Sequence, residues 1–85
     1  MDFLLKGEQI VVEAKMTRAN LRDNELCNEL IQDVVRYKNH SDCKTLVCLI
    51  YDPQALIKNP RGVESDIGKL SSDGLEVEAI IVPER

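Results

Sequence analysis

The chain has 85 residues, 44% of them hydrophobic, few aromatics and a formal net charge of −4. That length holds one small domain, spanning 1–85, with a core of Ile, Leu and Val, and a domain this size hides only about 60% of its unfolded surface. It offers no apolar run near the ~20 residues needed to cross a bilayer, no recognisable secretory leader and no overall positive charge to attract nucleic acid, so any such binding needs a local patch or a bound cation.

The segment Asp2-Phe-Leu-Leu5 reads as a short first strand, and Lys6-Gly7 as a tight turn in which Gly accepts positive φ. Gln9 to Met16 returns as the second strand. Strand side chains alternate, so Val11, Glu13 and Lys15 share one face and Val12, Ala14 and Met16 the other. A two-residue loop sets Leu5 opposite Glu8 and Asp2 opposite Val11, with Asp2 the diagonal neighbour of Glu13. An odd loop moves Asp2 to the wrong face, so an even loop is required to cluster Asp2, Glu13 and Lys15.

Thr17 to Asn20 is a connector, and Asn20 with Asp23 resembles a capping box. From Leu21 to about Asn39 the period is helical. The apolar stripe is Leu26, Cys27, Leu30, Ile31, Val34 and Val35, with Glu25, Asn28, Gln32 and Arg36 on the far side. Lys44 to Tyr51 is an apolar strand; after a helix it is expected parallel to the second strand. Asn59-Pro60 starts a short helix carrying Val63, Ile67 and Leu70. Ser71 to Gly74 is a turn, Leu75 to Val82 the last strand, and Pro83 stops it. The order β-β-α-β-α-β predicts an α/β domain with a mixed sheet.

A carboxylate and an ammonium inside an apolar strand are costly unless paired or bound. The plain reading of Glu13 and Lys15 is a salt bridge at a strand end; the functional one is a metal-binding catalytic strand. Arg18 and Arg22 follow that strand as solvated cations or phosphate contacts. Lys58 and Arg61 beside Pro60 are a second such pair, read first as surface charge. His40 at a helix end is read as a partner of the helix dipole. Cys27, Cys43 and Cys48 are odd in number, lack CxxC or metal spacing, and read as reduced core thiols of a cytoplasmic protein.

Asp2, a hairpin turn, then Glu13-Ala14-Lys15, a helix with Asp33-Val-Val-Arg-Tyr37 and a strand over Thr45 to Pro53 resemble the restriction-endonuclease-like PD-(D/E)XK nuclease superfamily, as found in bacterial defence proteins. The resemblance covers most of the chain. It implies a Mg²⁺-dependent (or Mn²⁺-dependent) nuclease domain hydrolysing phosphodiester bonds of DNA, with RNA as the other nucleic acid it admits. By motif position, Asp2, Glu13 and the Ala14 carbonyl would hold the metal, and Lys15 would polarise the attacking water. Asp33 and Tyr37 would support them, and Arg18 and Arg22 would contact the nucleic acid. Two departures stand out. No helix and strand precede Asp2, so the core is expected to be truncated or a fragment of a larger protein. Relatives also carry Gln-x-x-x-Tyr in the helix, whereas here Asp33 has that separation from Tyr37. The alternative function is a catalytically inactive module of the same fold, serving dimerisation, nucleic-acid binding or regulation. An uncovered first strand and sheet face predict a homodimer.

Overall fold

The computed structural model describes residues 2–5, 7–39 and 43–84, without the side chains of Asp2 and Phe3. The elements are β1 (Asp2–Leu5), β2 (Ile10–Met16), α1 (Asp23–Lys38), β3 (Thr45–Tyr51), α2 (Pro60–Gly68) and β4 (Glu76–Val82). They form one mixed sheet in the order β1-β2-β3-β4, with β1 antiparallel to β2 and the other pairs parallel. The expected class and element order hold.

The register brings Val11, Leu46 and Val77 into one row, and Glu13, Cys48 and Ala79 into the next. Lys15, Ile50 and Ile81 make the third row. Apart from Lys15, which is half-buried, all of these are buried, beneath Leu26, Leu30 and Val34 of α1 and Val63 and Ile67 of α2. The molecule is therefore two layers, with both helices on one face of the sheet. The opposite face carries Val12, Ala14, Val47 and Leu49, partly exposed, and Met16, Tyr51 and Ile80, exposed. Strands of a mixed sheet with one open face lose the two-sided burial that an apolar run such as Ile10-Val11-Val12 predicts.

The hairpin register differs from expectation by two residues. Leu5 faces Ile10 and Asp2 faces Glu13 directly, so the connection is four residues long. The loop stays even, which keeps residue 2 in register with the face of Glu13. The left-handed turn residue is Gln9 (φ 58), not Gly7. Its carbonyl accepts from the amides of Lys44 and Thr45 at 2.8 and 3.2 Å, which ties the hairpin to the start of β3.

Helix α1 starts two residues later than the period suggests. Its N-cap is Arg22, whose amide donates to Glu25 Oε1 at 3.2 Å; Asn20 instead takes a left-handed turn position, φ 75. The buried stripe is also rotated. Ile31 and Val35 are 40% and 56% exposed, and Asp33 is buried in their stead. The cause is β2: its Glu13 and Lys15 demand charged partners from the helix, and the helix turns to supply them. Helix α2 follows its sequence signals, with Asn59 Oδ1 accepting from the Gly62 amide at 3.1 Å and Pro60 in the first turn.

After β3 the chain turns on Asp52, which is fully buried. Its carboxylate accepts from Thr17 Oγ1 at 2.7 Å and from the amides of Leu56 and Ile57 at 2.9 and 3.0 Å. One side chain thus fixes the loops that leave β2 and β3 at the carboxyl end of the sheet. Cys27, Cys43 and Cys48 are free thiols, the latter two buried. His40 lies outside the described residues.

Candidate active site

Glu13 is buried in β2, and Lys15 follows two residues later on the same face. Helix α1 lies over this strand and presents Glu29, Asp33 and Arg36, spaced i, i+4 and i+7, so that one helical stripe faces it. Three carboxylates converge on the Lys15 ammonium: Asp33 Oδ2 at 3.0 Å, Glu13 Oε1 at 3.7 Å and Glu29 Oε1 at 3.9 Å. The Arg36 guanidinium donates to Glu13 Oε2 at 2.9 Å and lies 3.7 Å from Asp33 Oδ1. Arg18 closes the chain of charges with a 2.9 Å bond to Glu29 Oε2.

These six side chains carry three charges of each sign, which accounts for the tolerance of Glu13 and Asp33 in a small core. Burial works against the Lys15 ammonium, yet the contact and charge of Asp33, with Glu13 and Glu29, outweigh it and hold its pKa above the usual lysine value. Arg36 behaves the same way: burial opposes its charge and Glu13, above all, supports it. The Arg36 guanidinium also lies over the Tyr37 ring, 4.7 Å from its centroid, with Tyr37 packed against the core. Cys48 pairs with Glu13 across the β2–β3 ladder. Its thiol is pushed up to about 12, first by burial and then by the charges of Glu13 and Asp33, so it is no nucleophile or metal ligand near neutrality.

The sequence-predicted residues Glu13, Lys15 and Asp33 meet in one cluster, with Arg18 at its edge. Tyr37 lies beneath Arg36, its ring under the guanidinium, and Arg22 lies apart at the start of α1. The backbone of Asp2 lies opposite Glu13, and its side chain is outside the described residues. Ala14 pairs with Leu49 within the ladder. Glu29 escaped sequence reasoning, and Arg36 was assigned to the solvent side. The signal that finds both is the charged i, i+4, i+7 stripe of residues 29, 33 and 36.

Among the described residues, no group of three or more His, Cys, Asp or Glu is arranged to hold a metal ion. The donors present nonetheless suit a hard divalent cation. Glu13 and Asp33 offer carboxylate oxygens at the strand–helix contact, and Asp33 Oδ2 is buried against the Lys15 ammonium at 3.0 Å.

An acid-x-Lys strand in a mixed sheet, reached by an antiparallel hairpin and followed by a helix and a parallel strand, is the architecture of a restriction-endonuclease-like nuclease domain. The family model REase_DpnII-MboI matches residues 1–84, and the chain belongs to this family of restriction endonucleases, enzymes that cut DNA in bacterial defence. No curated protein and no solved structure matches it. No helix among the described residues is long and apolar enough to cross a membrane.

Proposed function

We propose that this domain is a divalent-metal-dependent DNA endonuclease whose reacting centre is the Glu13–Lys15 cluster. The observation that carries the reading is the convergence of Glu13, Asp33 and Lys15 on one buried point of a family-matched fold. Glu13, with Asp2 across the hairpin and the Ala14 carbonyl, would hold Mg²⁺ or Mn²⁺. A divalent cation bound there supplies Lewis-acid stabilisation of charge on the phosphoryl oxygens and a more acidic water. The chain's own part is positional. Asp33 holds the Lys15 ammonium beside Glu13, where it polarises the attacking water and offsets charge that develops at phosphorus. Tyr37 supports Arg36, which in turn fixes the Glu13 carboxylate.

DNA is the substrate, with Arg18 and Arg22 contacting its backbone beyond the end of β2. Two copies pair as a homodimer through the N-terminal hairpin or the open sheet face, where Leu5, Met16, Tyr51 and Ile80 are exposed. The protein acts in the cytoplasm, in keeping with its free thiols. Titration calorimetry with Mn²⁺ tests the metal centre. Wild type binds, and Glu13→Gln loses at least tenfold in affinity; equal binding by both removes Glu13 from the metal site.

A further inference from the structure

The Glu13 and Asp33 carboxylates are bridged twice. On the inner side the Lys15 ammonium lies 3.7 Å from Glu13 Oε1 and 3.0 Å from Asp33 Oδ2. On the outer side Arg36 Nη2 lies 2.9 Å from Glu13 Oε2 and 3.7 Å from Asp33 Oδ1. Each oxygen of the two acids therefore faces a cation of the protein. A cation from solution that binds Glu13 has to displace Lys15 or Arg36.

The two bridges are not equally held. The Lys15 side chain is 21% exposed, comes from the same strand as Glu13 and has Glu29 as a third acid. The Arg36 side chain is 56% exposed and reaches Glu13 from the last turn of α1. An ion pair open to solvent is weak, because water takes over the cation as the contact breaks. The Tyr37 ring, 4.7 Å from the guanidinium carbon, gives Arg36 an aromatic surface that does not depend on Glu13. The outer bridge is thus the one that opens. Glu13 is buried, so Oε2 needs a positive partner at all times, and Arg36 supplies it whenever no other cation does.

We infer that Arg36 is a built-in competitor of the divalent cation: it closes the Glu13 carboxylate in the metal-free protein and gives up Oε2 when a metal binds. Arg36 thereby weakens metal binding while it stabilises the metal-free fold. The inference rests on the metal centre of the nuclease reading and adds a regulation of that same site.

Titration calorimetry with Mn²⁺ on wild type, Arg36→Met and Lys69→Met tests it. Methionine keeps an apolar stem beside Tyr37 and removes the charge. Arg36→Met is expected to bind Mn²⁺ about fivefold more tightly than wild type, the factor at the top of the range for a solvent-exposed ion pair. Lys69→Met removes an exposed cation at the end of α2 and leaves the affinity at the wild-type value. An Arg36 that merely props up the site gives the opposite sign. Binding by Arg36→Met that is equal to or weaker than wild type overturns the competition and leaves the metal centre standing. An equal gain in Lys69→Met assigns the effect to net charge and likewise overturns it. Absence of binding by both wild type and Arg36→Met overturns the competition and the metal centre together. Wild type alone gives a second readout, independent of how the variant folds. In ¹H–¹⁵N spectra the Arg36 Nε–H resonance is expected to move as Mg²⁺ is added; a resonance unmoved at saturation overturns the displacement.

Discussion

Replacing Lys15 by Met leaves Glu13 and Asp33 facing one another without the ammonium they share. A buried charge stripped of its partner costs roughly 3–5 kcal/mol, and Lys15 keeps some solvent contact, so a loss near 3 kcal/mol is expected. Arg36→Ala removes a half-exposed guanidinium that bonds Glu13 and lies beside Asp33 and Tyr37, and should cost about 1 kcal/mol because solvent screens these contacts. Urea unfolding of the two variants checks the order, and a larger loss from Arg36 contradicts it. Adding Asp33→Leu to Lys15→Met should restore part of the stability, since it removes one orphaned charge. A loss of cleavage in a Lys15 variant therefore reads as chemistry only where folding has been verified. Alkaline pH probes the same neighbourhood. The Cys48 thiol is raised from 9.0 to about 12 in the fold, so its contribution is complete below pH 9 and is lost as pH climbs toward 12. Lys15, also raised, adds a loss of the same sign above 10.5. The melting temperature should fall between pH 9 and 10.5 in wild type and fall less in Cys48→Ala; parallel curves contradict the assignment. At this scale Glu13, Lys15 and Asp33 were legible from motif spacing. Arg36 was not, because apolar periodicity at Ile31 and Val35 pointed the stripe elsewhere and only the charge demand of β2 turns the helix.

Among the elements, the loops at the carboxyl end of the sheet are tied together by Asp52. Asp52→Ala leaves the Thr17 hydroxyl and the amides of Leu56 and Ile57 without their acceptor. At ~1–3 kcal/mol for each buried orphan, the variant should lose about 3 kcal/mol or more. Asp52→Asn keeps one acceptor oxygen and should lose less. Denaturant midpoints decide; equal stability of alanine and wild type contradicts the role. Helix α2 offers a finer test. A Cβ at Gly62 overlaps the Asn59 side chain, so Gly62→Ala displaces the cap, costing about 1 kcal/mol and cancelling the ~1 kcal/mol that alanine gains in a helix. A net gain near 1 kcal/mol in thermal unfolding would show the cap undisturbed. Element order, the β1–β2 and β2–β3 pairings and the α2 cap were readable, since Asn59-Pro60 and the apolar runs are local signals. The hairpin was readable in parity but not in count: alternation demands an even loop, whereas the length is set by Gln9 binding the start of β3, a contact between distant residues.

For the molecule as a whole, one face of the sheet is covered by both helices and the other is open. Met16 at 63% exposure and Tyr51 and Leu5 at 49% put apolar side chains on that open face, where a second copy would cover them. Sedimentation across a wide concentration range should show a dimer that Tyr51→Lys weakens; a monomer at tens of micromolar contradicts pairing through this face. Charge tells a compatible story. The net charge of −4 opposes nucleic acid globally, so contact with it falls to local cations such as Arg18, exposed just beyond the end of β2. The central claim is that the Glu13–Lys15 strand is a metal-dependent phosphodiester-cleaving centre. The direct measurement is nicking of supercoiled plasmid DNA with Mg²⁺ or Mn²⁺ by wild type and by Glu13→Gln of verified fold. The account predicts metal-dependent nicking by wild type and a loss of about 100-fold or more in the variant, the scale of a removed transition-state contact. Equal rates from the two proteins, or an intact plasmid with wild type in both metals, would contradict it.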